Sequence, residues 1–275
     1  MSCKLSIITI NYNNKEGLIK TTDSVARQTW TDFEFIVIDG GSTDGGKELI
    51  ENNHQINYWL SEKDSGVYNA MNKGIRKATG DYVIFMNSGD YFYDSTVLEK
   101  VQESFNSNID ILYGNSLFFN NRGYNKVIKP PKKLRFGFFY DDGINHQAAF
   151  IKRSLFYDYF FYNEDYKICA DWEFFIILIC LYNVSYKHID EIICYYDFSG
   201  ISADPKNRAM YDEEREITIQ KYFSAFKDDL FLAKEARVKR IQQVLHIKKY
   251  PIAWRIFKWI ISLFLIFLPK FKMKN

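Results

Sequence analysis

The sequence is poor in the residues that mark linkers and disulfide scaffolds. Its 275 residues include only 5 prolines and 14 glycines, whereas 47% are hydrophobic and 18% are aromatic. This composition excludes collagen-like, linker-rich and disordered chains. The four cysteines, at positions 3, 169, 180 and 194, form no C-x-x-C pair and are too few to cross-link a chain of this length. We expect reduced thiols within a folded protein.

Long hydrophobic runs without charge are also missing. The N-terminal apolar run covers only Leu5 to Ile10, too short for the core of a signal peptide. The most hydrophobic segment, 252–268, is interrupted by Arg255 and Lys258, which leaves ten uncharged residues after them. Ten helical residues rise about 15 Å, half of a hydrocarbon core of about 30 Å. The sequence therefore predicts neither an export signal nor a membrane-spanning helix.

Acidic residues are absent from the last 40 positions, which hold ten Lys and Arg residues. All 34 acidic and 26 of the 36 basic residues precede Ala236, so an acidic body of formal charge −8 carries a basic tail of +10. Such a tail favours an anionic partner. The tryptophans and leucines of 252–275 predict a helix in the headgroup layer of an anionic membrane rather than nucleic-acid binding. A helix packed on the protein's own core or on a second subunit is the alternative.

Apolar β-branched runs alternate with helical patterns along the first half. Strands are predicted at 5–11, 33–39, 56–60, 82–87 and 109–114, and helices at 18–26, at 43–52 and from 65 to before Gly80. The alternation is typical of a doubly wound α/β sheet. The segment 120–143, rich in Gly, Pro and Lys, predicts a long functional loop. Residues from 204 onward predict helices that lead into the tail.

Polar residues follow the predicted strands. Ligands of open α/β sheets bind beyond the carboxyl ends of the strands, so we expect Asn11, Tyr12, Asp39 and the segment 87–90 to meet in one crevice. The glycine-rich turn 39–45 lacks the P-loop and dinucleotide fingerprints and suits close approach of backbone to a ligand. Alternatively, Ser42 or Thr43 caps a helix and Asp39 is a turn residue.

Four segments together resemble the family 2 glycosyltransferases of the GT-A fold. They are SIITINYNN (6–14), SVARQTWTDFEFIVIDGGSTDG (24–45), EKDSGVYNAMNKGIRKATGDYVIFMNSGD (62–90) and ICADWEF (168–174). The resemblance covers about residues 4–200. It implies a Rossmann-like, mostly parallel α/β sheet flanked by helices, which we assign to a transferase domain at 1–215. The basic, apolar tail predicts a helical, membrane-associating extension at 216–275. The resemblance also implies a nucleotide-sugar donor, usually a UDP-sugar.

By the same resemblance, Thr9 and Tyr12 border the base, Asp39 holds the base or the ribose, and Ser88 touches the ribose. The donor-binding candidates are Thr9, Asn11, Tyr12, Asp39, Asp64, Lys73 and Ser88. Family members carry D-x-D or D-x-D-D after the fourth strand, where this chain has Asn-Ser-Gly-Asp at 87–90. Asp90 is therefore the candidate ligand for Mg²⁺ or Mn²⁺, unless it is a turn residue.

The resemblance places the general base for an inverting transfer at Asp171. An N-cap at the start of an apolar helix is a compatible structural role, and Glu173 is the second candidate base. His146 and Gln147 resemble the His-Gln pair of transferases that build bacterial surface polysaccharides, and His146 is either structural or a hydrogen-bond partner of donor phosphate or acceptor. On the acceptor side, Trp172 either faces a sugar ring or packs in the core.

The sequence thus predicts an inverting glycosyltransferase that moves a hexose or N-acetylhexosamine from a UDP-sugar to a lipid-linked glycan acceptor. The implied setting is bacterial capsule, O-antigen or exopolysaccharide synthesis at the cytoplasmic face of the plasma membrane. Because the D-x-D motif is reduced to one carboxylate, a non-catalytic sugar-nucleotide-binding protein at the membrane is the alternative. UDP release separates the two.

Overall fold

The computed structural model describes residues 4–106, 108–120, 123–198, 200–226, 229 and 238–268. Helices flank a curled, mixed sheet. The strands are β1 (Leu5–Asn11), β2 (Phe33–Asp39), β3 (Tyr58–Ser61), β4 (Tyr82–Phe85), β5 (Tyr91–Phe92), β6 (Ile111–Phe119), β7 (Asn125–Ile128), β8 (Ala149–Lys152) and β9 (Tyr186–Asp197). The helices are α1 (Lys15–Ala26), α2 (Gly46–Glu51), α3 (Val67–Lys77), α4 (Val97–Val101), α5 (Phe136–Asp141), α6 (Ser154–Asp158), α7 (Ala170–Cys180), α8 (Arg208–Tyr222), α9 (Lys239–Ile247) and α10 (Pro251–Leu265).

The strand order creates a crevice at one edge of the sheet. The order is β3-β2-β1-β4-β8-β6-β9-β5, with β7 paired to β6. Strands β1 to β4 are parallel, whereas β8 runs antiparallel to both β4 and β6. The direction of winding reverses between β1 and β4, and ligands of α/β sheets bind at such a point. Residues that follow β1, β2 and β4 therefore meet at one edge.

The two strands with the strongest β-branched runs have the predicted bounds, since β1 spans 5–11 and β2 spans 33–39. Other elements begin or end a few residues from the prediction. Helix α2 begins at Gly46 rather than Thr43, because Gly45 adopts a left-handed φ of 89° before it. The predicted loop 120–143 is only partly irregular, since it contains β7 and α5. The side chains of β7 are mostly exposed, so its sequence shows no buried face.

The core fills both faces of the parallel strands. On one face, Leu5 and Ile7 of β1 join a buried cluster with Leu18 and Val25 of α1. Alternation along the strand places Ile8 on the other face, against α3. A Cβ at Gly74 of α3 would lie 2.5 Å from Ile8 Cγ2, so glycine is what lets this helix approach the sheet so closely. This packing fixes the strand ends that carry the polar residues.

By its contacts, the chain divides into two compact units, residues 1–218 and 219–275. The first contains the sheet, and the second contains α9 and α10. Within the described part of the chain, no helix is both long enough and apolar enough to cross a bilayer. The described cysteines are free thiols, with Cys169 and Cys194 buried and Cys180 half-buried. The fourth, at position 3, lies outside the described residues.

Candidate active site

A hydrogen-bond network ties together the carboxyl ends of β1, β2 and β4. Asn11 Nδ2 donates to Asp39 Oδ1 at 2.7 Å and to Ser42 Oγ at 3.1 Å. Its Oδ1 accepts from Ser88 Oγ at 2.8 Å. Asn11 therefore joins Asp39 to Ser88. These three predicted donor-site residues lie together, as their positions at the strand ends indicated.

Asp39 is bound entirely by its own surroundings. Its carboxylate accepts five hydrogen bonds, from the backbone N–H groups of Gly41 and Ser42, the hydroxyls of Ser42 and Ser61, and the Asn11 amide. Burial acts to raise the pKa of Asp39, but these bonds outweigh it and the net pKa is lowered. The side chain is fully buried. The geometry favours its role in shaping the glycine-rich turn, and the contact with a base or ribose stays a prediction.

Tyr12 and Asp64 lie beside Gly40 of the glycine-rich turn. Tyr12 is 67% exposed, and a Cβ at Gly40 would lie 3.1 Å from its ring and 2.7 Å from Asp64 Oδ2. Gly40 therefore lets the turn pass between these two side chains. Asp64 Oδ1 accepts from the Gly66 N–H at 3.0 Å, which holds the carboxylate just before α3.

Two other donor-site candidates are engaged elsewhere. Thr9 is fully buried, and its hydroxyl donates to Met86 O at 2.7 Å, so the side chain joins β1 to the chain after β4 instead of reaching the crevice. Lys73 Nζ lies 2.7 Å from Glu62 Oε1. An anionic ligand would compete with Glu62 for this ammonium group.

Asp171 lies in the first turn of α7 and is held by two side chains. Tyr68 Oη donates to its Oδ1 at 2.8 Å, and His146 Nδ1 is 2.6 Å from its Oδ2. Burial acts to raise the pKa of Asp171, but the hydrogen bond and attraction of His146 and the bond from Tyr68 outweigh it, so the pKa is lowered. The N-cap of α7 is Cys169, so Asp171 does not have the predicted capping role. It is a carboxylate at neutral pH, the form that a general base requires.

His146 connects Asp171 to the turn after β4. Its Nε2 lies 3.1 Å from Asn87 Nδ2, so with this amide orientation Nε2 accepts and Nδ1–H donates to Asp171. Among the described residues, the buried Asn87 Oδ1 has no hydrogen-bond partner. Reversing the amide would present this oxygen to an Nε2–H instead. Asn87 can therefore either donate to Nε2 of His146 or accept from it.

Gln147 binds the metal-ligand candidate. Its Nε2 donates to Asp90 Oδ2 at 2.9 Å, and the backbone N–H of Asp197 donates to Oδ1 at 2.9 Å. Burial raises the pKa of Asp90 to about 6 against the lowering effect of these two bonds. The adjacent residues His146 and Gln147 thus bring the candidate base and the candidate metal ligand into one cluster.

The donor set at Asp90 fits a cation shared with a ligand. Within the described ranges, no group of three or more His, Cys, Asp or Glu side chains is arranged to hold a metal ion. Each oxygen of Asp90 accepts one hydrogen bond, from Gln147 or from the Asp197 N–H, and keeps a further lone pair. Mg²⁺ is commonly held by one or two carboxylates together with substrate phosphates. A single buried carboxylate matches the protein's share of that pattern.

Helix α8, which lies outside the four family-like segments, holds the start of α7. Glu214 accepts hydrogen bonds from the backbone N–H groups of residues 167, 168 and 169, and the Arg215 guanidinium lies 4.3 Å from the centre of the Trp172 ring. Trp172 Nε1 donates to Phe139 O at 2.8 Å. The structure therefore favours core packing for Trp172. Glu173 is buried and accepts from Thr218, which leaves Asp171 as the accessible carboxylate of the pair.

Comparison with solved structures places the chain in the GT-A class of α/β folds. Staphylococcus aureus TarS 1-349 in complex with UDP superposes with a TM-score of 0.61 at 20% identity, over 89% of this chain and 78% of that chain. The mannosyltransferase PcManGT from Pyrobaculum calidifontis, in complex with GDP-Man and Mn²⁺, has a TM-score of 0.55 at 15% identity, over 93% and 87%. At these identities the likeness concerns the fold alone.

The sequence comparisons give the family. "Glycosyl transferase family 2" matches residues 6–160. A PGL/p-HBAD biosynthesis glycosyltransferase of Mycobacterium bovis (strain BCG / Pasteur 1173P2) is 32% identical over 214 residues, which is 72% of this chain and 78% of the relative. An uncharacterised glycosyltransferase of Mycobacterium tuberculosis (strain CDC 1551 / Oshkosh) is 32% identical over 222 residues, 78% of this chain and 82% of the relative. The chain belongs to glycosyl transferase family 2 and is a transferase.

Proposed function

We propose that this chain is an inverting glycosyltransferase that moves a hexose or N-acetylhexosamine from a UDP-sugar to a lipid-linked glycan acceptor. The observation that carries the proposal is the pair of bonds that hold Asp171, from His146 and Tyr68, in one cluster with Asp90. The proposed setting is the synthesis of a bacterial capsule, O-antigen or exopolysaccharide.

In the proposed reaction, Asp171 takes the proton of an acceptor hydroxyl as that oxygen bonds to the anomeric carbon of the donor. The bond from the anomeric carbon to the diphosphate oxygen breaks, and UDP leaves on the opposite face, so the configuration inverts. Tyr68 and His146 each donate to Asp171, which fixes the orientation of the carboxylate toward the acceptor. His146 is a positioning residue in this scheme.

The donor is proposed to lie across the ends of β1 and β2, with Tyr12 against the base and Asp64 and Lys73 beside it. Asn11, Asp39 and Ser88 hold the crevice in shape through the network described above. TarS has been solved in complex with UDP-GlcNAc, and PcManGT with GDP-Man. These bound ligands support a nucleotide-sugar donor for a chain of the same fold.

Mg²⁺ or Mn²⁺ is proposed to bind at Asp90, with Gln147 and the Asp197 N–H holding the carboxylate in place. When bound, the cation neutralises charge on the leaving diphosphate. PcManGT was solved with Mn²⁺, which supports the choice of metal.

Membrane association is proposed through the tail. On α10, Arg255, Lys258 and Ser262 share one face of the helix. The apolar side chains of Ile252, Ile256 and Trp259 are all exposed. An exposed apolar face beside cations suits the headgroup layer of an anionic membrane. Residues 269–275, which complete the predicted membrane segment, lie outside the described residues. The proposed location is the cytoplasmic face of the plasma membrane, where a lipid-linked acceptor is met.

The test is release of UDP or GDP from a panel of nucleotide sugars, with Mn²⁺ present and water as the default acceptor. We expect one UDP-sugar to be cleaved by the wild-type chain and not by Asp171→Asn. UDP binding with no turnover of any donor would instead support a non-catalytic sugar-nucleotide-binding protein. Cleavage of GDP-mannose alone would overturn the choice of UDP.

A further inference from the structure

A cluster of aromatic side chains lies at the far side of the crevice. It consists of Phe118 at the end of β6, Tyr124 before β7, Tyr196 in β9 and Phe198 after β9, and we call it the aromatic platform. Its ring centres are 4.6 Å apart for Phe118 and Tyr196, 5.5 Å for Phe118 and Phe198, and 5.7 Å for Tyr124 and Phe198. Tyr124 and Phe198 are 39% and 38% exposed. The outer rings of the platform are therefore accessible.

The platform is continuous with the face of the sheet that borders the cluster around Asp171. Ser116 and Phe118 are two residues apart on β6 and share one face. Ser116 Oγ lies 3.5 Å from the amide of Asn145, the residue before His146. Moving along β6 from Ser116 to Phe118 therefore leads from the cluster to the platform over about 7 Å.

Strand β9 makes the same connection from the other side. The N–H of Asp197, between the platform residues Tyr196 and Phe198, donates to Asp90 at 2.9 Å. Burial raises the pKa of the Tyr196 hydroxyl, and the nearby negative charges of Asp90 and Asp171 raise it further. The inner end of the platform thus lies beside Asp90, which the adjacent residues His146 and Gln147 link to Asp171.

The sheet order separates the platform from the proposed donor crevice. Strands β1 and β2 lie on one side of β4, whereas β6 and β9 lie on the other side, beyond β8. An inverting transfer requires the acceptor oxygen to attack from the side opposite the leaving diphosphate. With the donor over β1 and β2, the acceptor approaches from the side of β6 and β9.

We propose that the aromatic platform binds a pyranose ring of the acceptor glycan. The proposal rests on the proposed function, because it takes Asp171 as the base. Aromatic faces are electron-rich, and the C–H groups of one pyranose face are weak donors that pack against such faces. The platform gives the acceptor glycan a stacking surface that ends at Asp90 and Asp171, where its hydroxyl must react.

The opposite face of the same strand provides a matched control. Tyr195 alternates with Tyr196 and stacks with Tyr91 and Tyr93, with ring centres 4.7 Å and 5.3 Å apart. Tyr93 is 37% exposed, nearly the same as Phe198. Tyr93 and Phe198 therefore match in exposure, and each contacts an aromatic ring of β9, but they lie on opposite faces of the sheet.

The test compares Phe198→Leu with Tyr93→Leu in the full chain, each checked for an unchanged melting temperature. The probes are the methyl glycosides of glucose, galactose, mannose and N-acetylglucosamine, measured by saturation-transfer NMR in the presence of UDP and Mn²⁺. We expect at least one glycoside to receive saturation from the wild type, and its affinity to fall about fivefold in Phe198→Leu but not in Tyr93→Leu. Tyr124→Leu, at the outer end of the platform, replaces Phe198→Leu if the latter fails to fold.

Equal glycoside binding by Phe198→Leu and wild type, an equal loss in Tyr93→Leu, or no saturation of any glycoside by the wild type would each overturn the platform. UDP release from the donor by the wild type is measured separately. If UDP is released while the glycoside results contradict the platform, only the platform inference fails. If the wild type cleaves no donor, the proposed function fails, and the platform inference that rests on it fails too.

Discussion

Two carboxylates near the crevice, Asp39 and Asp171, differ in burial and in the number of hydrogen bonds that they accept. Asp39 accepts five hydrogen bonds from its own turn and neighbouring strands and is fully buried. Asp171 accepts from two side chains, and its own side chain is 19% exposed. A carboxylate has about four lone-pair sites. Hydrogen bonds within the fold occupy those of Asp39, whereas Asp171 keeps a site open. The comparison separates a residue that shapes the site from one that can react in it.

The largest expected effect is on turnover at Asp171. Asp171→Asn removes the proton acceptor but keeps the size of the side chain, so UDP release at saturating donor should fall by a factor on the order of 10² to 10⁴. Affinity for UDP should stay nearly unchanged. Asp158→Asn, an exposed substitution at the end of α6, is the control and should retain wild-type turnover. Normal turnover in Asp171→Asn would remove the base assignment.

The next effect concerns Asp90 and the cation. Chelation of divalent metal should lower turnover of the wild type by about 10²-fold, because the leaving diphosphate is no longer neutralised. Adding Mn²⁺ or Mg²⁺ back should restore the wild type but not Asp90→Ala. Full activity of the wild type in excess chelator would contradict the metal role.

A smaller, more specific effect is expected at His146. Since His146 lowers the pKa of Asp171 against its burial, His146→Gln should raise that pKa. A base is active when deprotonated, so the acid limb of the pH profile of kcat/KM should move to higher pH, with a loss of about tenfold at neutral pH. A reduced rate with an unmoved acid limb would show that His146 acts on something other than Asp171.

For Asp39 the expected effect is on stability. Asp39→Asn should lower the free energy of unfolding by about 1–3 kcal/mol at neutral pH. The folded pKa of Asp39 is depressed, so its contribution is present above the unfolded pKa and is lost as the pH falls through the folded value. The difference between wild type and variant should therefore shrink below about pH 4. A difference that is constant with pH would contradict this assignment.

Asp39→Asn also tests whether the glycine-rich turn shapes the predicted donor site. The turn that it holds carries Gly40 between Tyr12 and Asp64, so KM for the donor should rise while kcat at saturating donor changes little. A large loss of kcat would show that Asp39, like Asp171, takes part in the reaction.

The smallest effect on chemistry is expected for the tail. Trp259→Ser combined with Phe264→Ser should weaken flotation with anionic liposomes by about tenfold or more, because two large apolar groups leave the interface. UDP release in solution should stay at the wild-type level, because the substitutions leave Asp90 and Asp171 unchanged. Ser262→Ala, on the polar face of α10, is the matched control. Equal flotation of the double variant and wild type would favour a tail that packs on protein.

The predictable parts of the fold are those with a one-dimensional signal. Strands β1 and β2 are runs of buried β-branched residues, so their bounds follow from the sequence. Strand β9 does not, because its side chains are mostly half-buried and polar residues interrupt it. Its pairing with β6 involves a bulge near Ile192 and a long separation along the chain.

The candidate site likewise has a part that the sequence predicts and a part that it does not. Strand-end placement suffices to bring Asn11, Asp39 and Ser88 together, but no pattern shows how many hydrogen bonds Asp39 already accepts. Tyr68 and Glu214 were missed, because each reaches the Asp171 region from a different helix across more than 40 residues of sequence. Tyr68 and Glu214 are recognised by their buried hydrogen bonds, which exist only in the folded chain.

The most direct test of the contrast measures turnover and stability of Asp171→Asn and Asp39→Asn side by side. UDP release at saturating donor is compared with the melting temperature of each full-length variant. We expect Asp171→Asn to lose at least about 10²-fold in turnover with a smaller drop in melting temperature than Asp39→Asn, and Asp39→Asn to keep near-normal turnover at saturating donor. Near-normal turnover in Asp171→Asn, or a wild-type melting temperature with lost turnover in Asp39→Asn, would contradict this expectation.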